Sequence, residues 1–141
     1  MYIKSLLPKE SLRAWKIYGI CSEREECHVE DFLLNLPPNK RKAKFDSLFQ
    51  VVTERGPFFL PKEQCHVVDE NEKIYEFIKG DLRILFFTDS DKVVICSHGF
   101  IKQRQKTPPT QVARATRSKD AYFQAKSQKN LKAIDPIQED D

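Results

Sequence analysis

Glycine is scarce in this chain, with four in 141 residues, and none sits in a glycine-rich loop of the kind that cradles nucleotide phosphates. A serine-nucleophile elbow and a metalloprotease helix are also absent, which removes two common hydrolase signatures. No apolar run approaches the roughly 18 residues of a membrane span. The first twenty residues contain no uninterrupted apolar stretch of signal-peptide length. A cytoplasmic protein without membrane contact is therefore expected. In a chain of this length without a secretion signal, Cys21, Cys27, Cys65 and Cys96 read as reduced thiols rather than a disulfide frame. Cys27 and Cys65 are each followed by a histidine, His28 and His66, so a Cys2His2 zinc site is conceivable. Against it, adjacent strand residues point to opposite faces, and neither pair has the spacer typical of a zinc site. Buried thiols and surface imidazoles, with no metal and no cofactor, are the expectation.

The chain does have an apolar fraction of 40% and ten phenylalanines, enough for one modest core and one domain. The net charge of +3 conceals an asymmetry. Between Ile101 and Ala133 there are nine Lys/Arg against one acid, Asp120, a local charge of +8 that leaves −5 on the remainder. Such a strip suits a phosphate backbone, because phosphate neutralisation supplies most non-specific affinity. A solvated lysine-rich tail would look the same.

Residues 12–22 carry the β-branched and aromatic composition of a first strand, weakened by Gly19. Val29, Phe32, Leu33 and Leu36 recur at helical spacing and are stopped by Pro37-Pro38. A second helix is expected from about Asn39 to Arg55, closed by Gly56-Pro57. Lys40, Arg41, Lys42 and Lys44 crowd its first turns, against the helix dipole. Residues 57–72 read as a loop. Three strands follow, about 73–79, 82–88 and 92–98, joined by short turns into an antiparallel meander. Leu82-Arg-Ile-Leu-Phe-Phe is apolar nearly throughout, as a strand covered on both sides would be. Thr107-Pro108-Pro109 marks a helix start, with Thr107 as the cap, and that helix runs to about Lys126. The domain is thus read as residues 1–126, with 127–141 a disordered tail. Helices packed on a small sheet make an α+β architecture.

The chemistry-bearing stretch is Ser97-His98-Gly-Phe-Ile-Lys102-Gln-Arg104-Gln-Lys106-Thr-Pro. If it is extended, Lys102, Arg104 and Lys106 project to one side at intervals of roughly 6–7 Å, about a nucleic-acid backbone repeat. An early turn into helix would destroy the alignment.

The run His98-Gly-Phe-x-Lys-x-x-x-Lys-Thr-Pro resembles the signature of phage-derived HigB-like toxins in the RelE/ParE superfamily, in which an aromatic and two lysines end the last strand before a basic helix. Val29-Glu-Asp-Phe-Leu-Leu-Asn-Leu-Pro is similar to the family's first helix, and Phe49-Gln-Val-Val-Thr-Glu-Arg-Gly-Pro to the end of its second. Ile74-Tyr-Glu-Phe and Leu82-Arg-Ile-Leu-Phe-Phe are similar to its paired strands. The resemblance covers about residues 14–125 in order. It departs where the family places an arginine after Tyr-Glu-Leu: here Lys79 stands one residue displaced, and a one-residue shift flips the strand face.

The resemblance implies a RelE-like fold: a small antiparallel or mixed sheet, two N-terminal helices on one face and a C-terminal helix. It further implies the toxin of a type II toxin–antitoxin pair, a metal-independent endoribonuclease acting on messenger RNA on the ribosome, with a helix-turn-helix antitoxin as partner. A gyrase-poisoning relative and a non-catalytic protein- or RNA-binding relative are the alternatives. Attack of a ribose 2′-hydroxyl on phosphorus needs a proton acceptor, a donor to the leaving oxygen and cations on the phosphorane. Arg83, Lys102 and Lys106 are the candidate charge stabilisers. His98 and Glu76 are the candidate bases, the histidine having an intrinsic pKa near about 6.5. Lys79, Arg104, Arg114, Arg117 and Lys119 are the expected RNA contacts.

Overall fold

In the computed structural model, which describes residues 1–40, 43–103 and 105–134, the elements in chain order are β1 (Tyr2–Ser5), β2 (Lys16–Cys21), α1 (His28–Leu34), α2 (Ala43–Arg55), β3 (Cys65–Asp69), β4 (Ile74–Lys79), β5 (Leu82–Asp89), β6 (Val93–Ile101), α3 (Pro109–Ser127) and β7 (Lys132–Ile134). The strands form one mixed seven-stranded sheet in the order β3-β4-β5-β6-β2-β1-β7. β3 to β6 are an antiparallel meander, β2 runs antiparallel to β1, and the β2–β6 and β1–β7 pairs are parallel. The fold is α+β, with three α-helices.

Side-chain alternation divides the core in two. Leu82, Ile84 and Phe86 of β5 join Phe77 of β4, Val29 and Leu33 of α1, and Phe45, Leu48, Phe49 and Val52 of α2 in one apolar cluster. Leu85 and Phe87 project the other way, to Ile74, Ile95, and Ala115 and Tyr122 of α3. β5 is therefore apolar nearly throughout because both of its faces are covered. On the first face the Phe77 and Phe86 rings stack at 4.0 Å, with the Phe49 edge on Phe77 at 5.9 Å. Each such ring contributes about 1.5–3 kcal/mol by leaving water.

Two glycines shape the backbone at this end of the sheet. Gly80, at φ +59°, makes the tight β4–β5 turn. Gly99 lets α1 approach β6: a Cβ there would fall 2.2 Å from the Phe32 ring. Between Leu85 and Phe86 the β5–β6 register slips by one residue, so Ser97 is an extra residue on β6. This bulge re-aims the strand end.

Several expectations are corrected. The strand expected over 12–22 is β2, and it is preceded by β1. The expected loop 57–72 contains β3, the sheet edge. Asn39 and Lys40 belong to a 3₁₀ turn at Pro38–Lys40 rather than to α2, and Lys40 is paired with Asp81. Arg41 and Lys42 lie outside the described residues. Thr107 does not cap α3: Pro108 holds the cap position without a side-chain hydrogen bond. Within the expected tail, Lys132–Ile134 pairs with β1, held further by Lys132 N–H donating to the Met1 carbonyl at 2.8 Å. Residues 135–141 lie outside the described residues.

Candidate functional site

Along β4, Tyr75 and Phe77 pack toward α2, while Glu76 falls between them on the α3 face, fully buried at 0% side-chain exposure. A carboxylate there requires partners, because desolvating an unpaired charge is costly. Three neighbours supply them. From β3, whose His66 is in register with Glu76, the imidazole Nε2 lies 2.8 Å from Glu76 Oε1. From β5, Arg83 Nε lies 3.7 Å from the same oxygen, an ion contact rather than a hydrogen bond. From the loop before α3, the Thr107 hydroxyl donates to Oε2 at 2.7 Å. Arg83 is fixed further by donating from Nη1 to the Gly80 and Leu82 carbonyls, at 2.6 and 3.0 Å. Among the described residues, neither its Nε nor Glu76 Oε1 has a hydrogen-bond partner, so the contacts of that oxygen with Arg83 and His66 are ionic rather than hydrogen bonds.

The same geometry anchors the basic loop. β6 ends at Ile101, before the cations begin, so Lys102 and Lys106 do not continue the strand. Instead, the Lys102 N–H donates to the Asp81 carbonyl at 2.7 Å, and Thr107 is tied to Glu76. The loop is thus held at both ends over the β4–β5 hairpin. Beneath it lies an open hollow of about 540 Å³ lined by Gly80, Asp81, Arg83, Lys102, Gln103 and Gln105. Lys40 reaches Asp81 from the side and its hydrogen bond holds the Asp81 carboxyl below the usual carboxylate range.

His98 is not in that hollow. The bulge turns it with Ser97 toward α3, where it is 1% exposed. Gln111 Oε1 can only accept, so His98 Nε2–H donates to it at 2.8 Å and Nδ1 accepts from the Ser97 hydroxyl at 2.8 Å. Burial, then the nearby Arg114 guanidinium, push the imidazole down to about 4. Neutral, enclosed and with both nitrogens engaged, His98 does not open onto the hollow, which corrects its expected place facing a cleft. Full burial likewise keeps the Glu76 carboxylate from meeting a ribose hydroxyl directly.

A family model for phage-derived Gp49-like proteins (DUF891) matches residues 31–120, from α1 through most of α3 and across the whole Glu76–Arg83 cluster. The chain belongs to the Gp49-like family. This is a RelE/toxin-like family. No curated protein matches the chain.

Within this Gp49-like domain the remaining expected residues separate. Lys79 pairs with Leu82, whose side chain is in the α1/α2 cluster, so Lys79 occupies the face opposite Glu76 and Arg83. Lys106 is exposed on the anchored loop. Arg104 lies outside the described residues. Arg114 and Arg117 are on α3, both exposed, and Arg117 lines a second groove of about 640 Å³ with Val68, Glu72, Thr107 and Val112. Lys119 is engaged elsewhere, donating to the Glu72 carbonyl at 2.6 Å and carboxylate at 2.8 Å. Cys65 packs in the α1/α2 cluster while its neighbour His66 faces Glu76, so alternation separates that Cys-His pair. Among the described residues, no group of three or more His, Cys, Asp or Glu is placed to hold a metal. His66 is the member that sequence reasoning missed: β3 is hidden in a proline-flanked stretch, and only its pairing with β4 brings the imidazole to Glu76.

Proposed function

We propose that this protein is a HigB-like toxin of RelE-like fold, one half of a type II toxin–antitoxin pair, and that it cuts messenger RNA by attack of a ribose 2′-hydroxyl on the adjacent phosphorus. The observation that carries this reading is the convergence of Arg83 and Lys102 on one hollow, beneath a loop tied down at both ends. Cations held before the reaction begins stabilise developing phosphorane charge without reorganising. Lys106 on the loop, with Arg114 and Arg117 on α3, extends the positive surface along which an RNA backbone would track. The ribosome is the setting, the cytoplasm the compartment, and a helix-turn-helix antitoxin covers the basic face. Membership of a RelE/toxin-like family supports the toxin reading independently of the site.

The test is inducible expression of the wild type beside an Arg83→Ala/Lys102→Ala pair, with primer-extension mapping of transcripts after brief induction. Growth arrest and discrete transcript ends are expected for the wild type only. Equal growth of the two strains removes the enzyme reading. Burial of both His98 and Glu76 favours, as a second reading, a relative that binds RNA without cutting it. RNA retained by the purified protein, with all transcripts intact, would select that second reading.

A further inference from the structure

Away from the hollow, two thiols converge on Gly19 of β2. Cys21 and Cys27 face each other as an isolated antiparallel bridge between the end of β2 and the residue preceding α1. Both are free and buried. The turn between them is closed by the Ser22 N–H donating to the Glu26 carbonyl at 2.9 Å. With that bond next to it, the Cys21–Cys27 pair is of the kind without hydrogen bonds of its own, in which Cα atoms stand about 4.5 Å apart. A disulfide spans such a separation. The sulfurs are aimed accordingly. A Cβ on Gly19 would fall 2.7 Å from Cys27 Sγ, and Cys21 Sγ lies 3.7 Å from the Gly19 carbonyl oxygen. Both thiols therefore sit against the same glycine, which has no side chain to keep them apart.

We propose that Cys21 and Cys27 are a reversible dithiol–disulfide couple, a peroxide-sensitive modification site at the head of α1. It stands independently of the endoribonuclease reading. The hydrogen bond between the thiols holds Cys27 below the ordinary thiol range against its burial, and together with burial pushes Cys21 well above it. Cys27 is therefore the attacking sulfur and Cys21 the resolving one. The charged groups beside the pair are Lys4 of β1, in register with Gly19, and Glu30 of α1, which pairs with Lys4 at 2.8 Å. In the first step Cys27 Sγ attacks one oxygen of hydrogen peroxide, the O–O bond breaks, and water leaves a sulfenic acid. Cys21 Sγ then attacks Cys27 Sγ, its proton goes to the departing hydroxide, and a second water is released as the S–S bond forms. Two electrons pass from the sulfurs to the peroxide. The competing partner is Cys96, in register with Gly19 on β6. It is fully buried, and burial pushes its thiol well above the ordinary range. In a reducing compartment such a bond is transient, closing only while oxidant is present.

The test exposes the reduced, folded full-length protein to hydrogen peroxide, blocks remaining thiols with iodoacetamide in denaturant, and maps the tryptic peptides by mass spectrometry. Trypsin cuts after Arg24, between the two cysteines, so a bond between them leaves two linked peptides. That linked pair, lighter by two hydrogens and separated again by dithiothreitol, is the expected product, with Cys65 and Cys96 alkylated as in the untreated protein. Cys27 should be consumed about 10-fold or more faster than Cys65 or Cys96. Cys21→Ser should stop at a sulfenic acid on Cys27, trapped by dimedone, and Cys27→Ser should leave Cys21 a free thiol. The wild-type map decides the matter even where a serine variant fails to fold. Four thiols intact after peroxide, a bond to Cys96 or to a second chain, or loss of all four together each overturns the proposal.

Discussion

The two faces of the sheet hold the same kind of strand residues but are built on different principles. Toward α1 and α2, the cluster is phenylalanine, leucine, isoleucine, valine and cysteine, and its cohesion is dispersion and dehydration. Toward α3, the buried groups include Glu76, Ser97 and His98, each held by named hydrogen bonds or ion contacts to the helix, its preceding loop or a neighbouring strand. The first face tolerates any apolar side chain that fits. The second must satisfy every polar atom, and Glu76 Oε1 and Arg83 Nε are left without a hydrogen-bond partner among the described residues. Unsatisfied polarity next to an open hollow belongs to a site, and dryness belongs to a scaffold.

The sharpest test of this division is Phe77→Ala. Removing a ring stacked on Phe86 and edged by Phe49 should cost about 4 kcal/mol, read as a fall in the urea midpoint, while pH dependence of stability stays as in the wild type. The α3 face should instead respond to protons. Because the folded-state pKa of His98 is depressed to about 4, the folded protein holds this group neutral where the unfolded chain would protonate it. Its contribution is complete above about pH 6.5 and is lost progressively as pH falls toward 4, by roughly 2–3 kcal/mol. Denaturation midpoints at neutral and mildly acidic pH should separate accordingly, and His98→Gln should flatten the difference. His28, lowered by burial and then by Arg114, acts in the same direction.

Gly99→Ala probes where the faces meet. Its Cβ would clash with Phe32, so α1 must shift, at a cost of about 2 kcal/mol. A melting temperature unchanged by that substitution would mean that α1 is not seated against β6. The smallest effect is expected from Lys119→Ala. It removes a partly exposed ion pair with Glu72, worth about 0.5 kcal/mol, and RNA retention on a filter should stay at the wild-type level. A large loss of retention would return Lys119 to the nucleic-acid surface.

The meander was legible because its strands are apolar, long and separated by turn residues, and α1 and α2 because their apolar spacing is helical. β1, β3 and β7 were not, since strands of three to five residues take their identity from partners distant in sequence. In the site, Glu76, Arg83 and Lys102 stood out by charge within apolar or basic runs. The inward turn of His98 did not, because one extra residue in the β5–β6 ladder reverses where a side chain points, and no local pattern announces a bulge. Thr107 illustrates the same limit: the residue type fits a helix cap, but the nearby carboxylate competes for its hydroxyl and prevails.

The four thiols offer a consequence of a practical kind. All are buried, from β2, the α1 cap, β3 and β6, and burial raises Cys65 to about 12 and Cys96 well above the ordinary range. Thiolate chemistry at those two positions is suppressed while the scaffold is closed. Alkylation of Cys65 and Cys96 therefore times the opening of the dry layer itself, giving an unlabelled protein its own clock for how often β3 and β6 part from the helices.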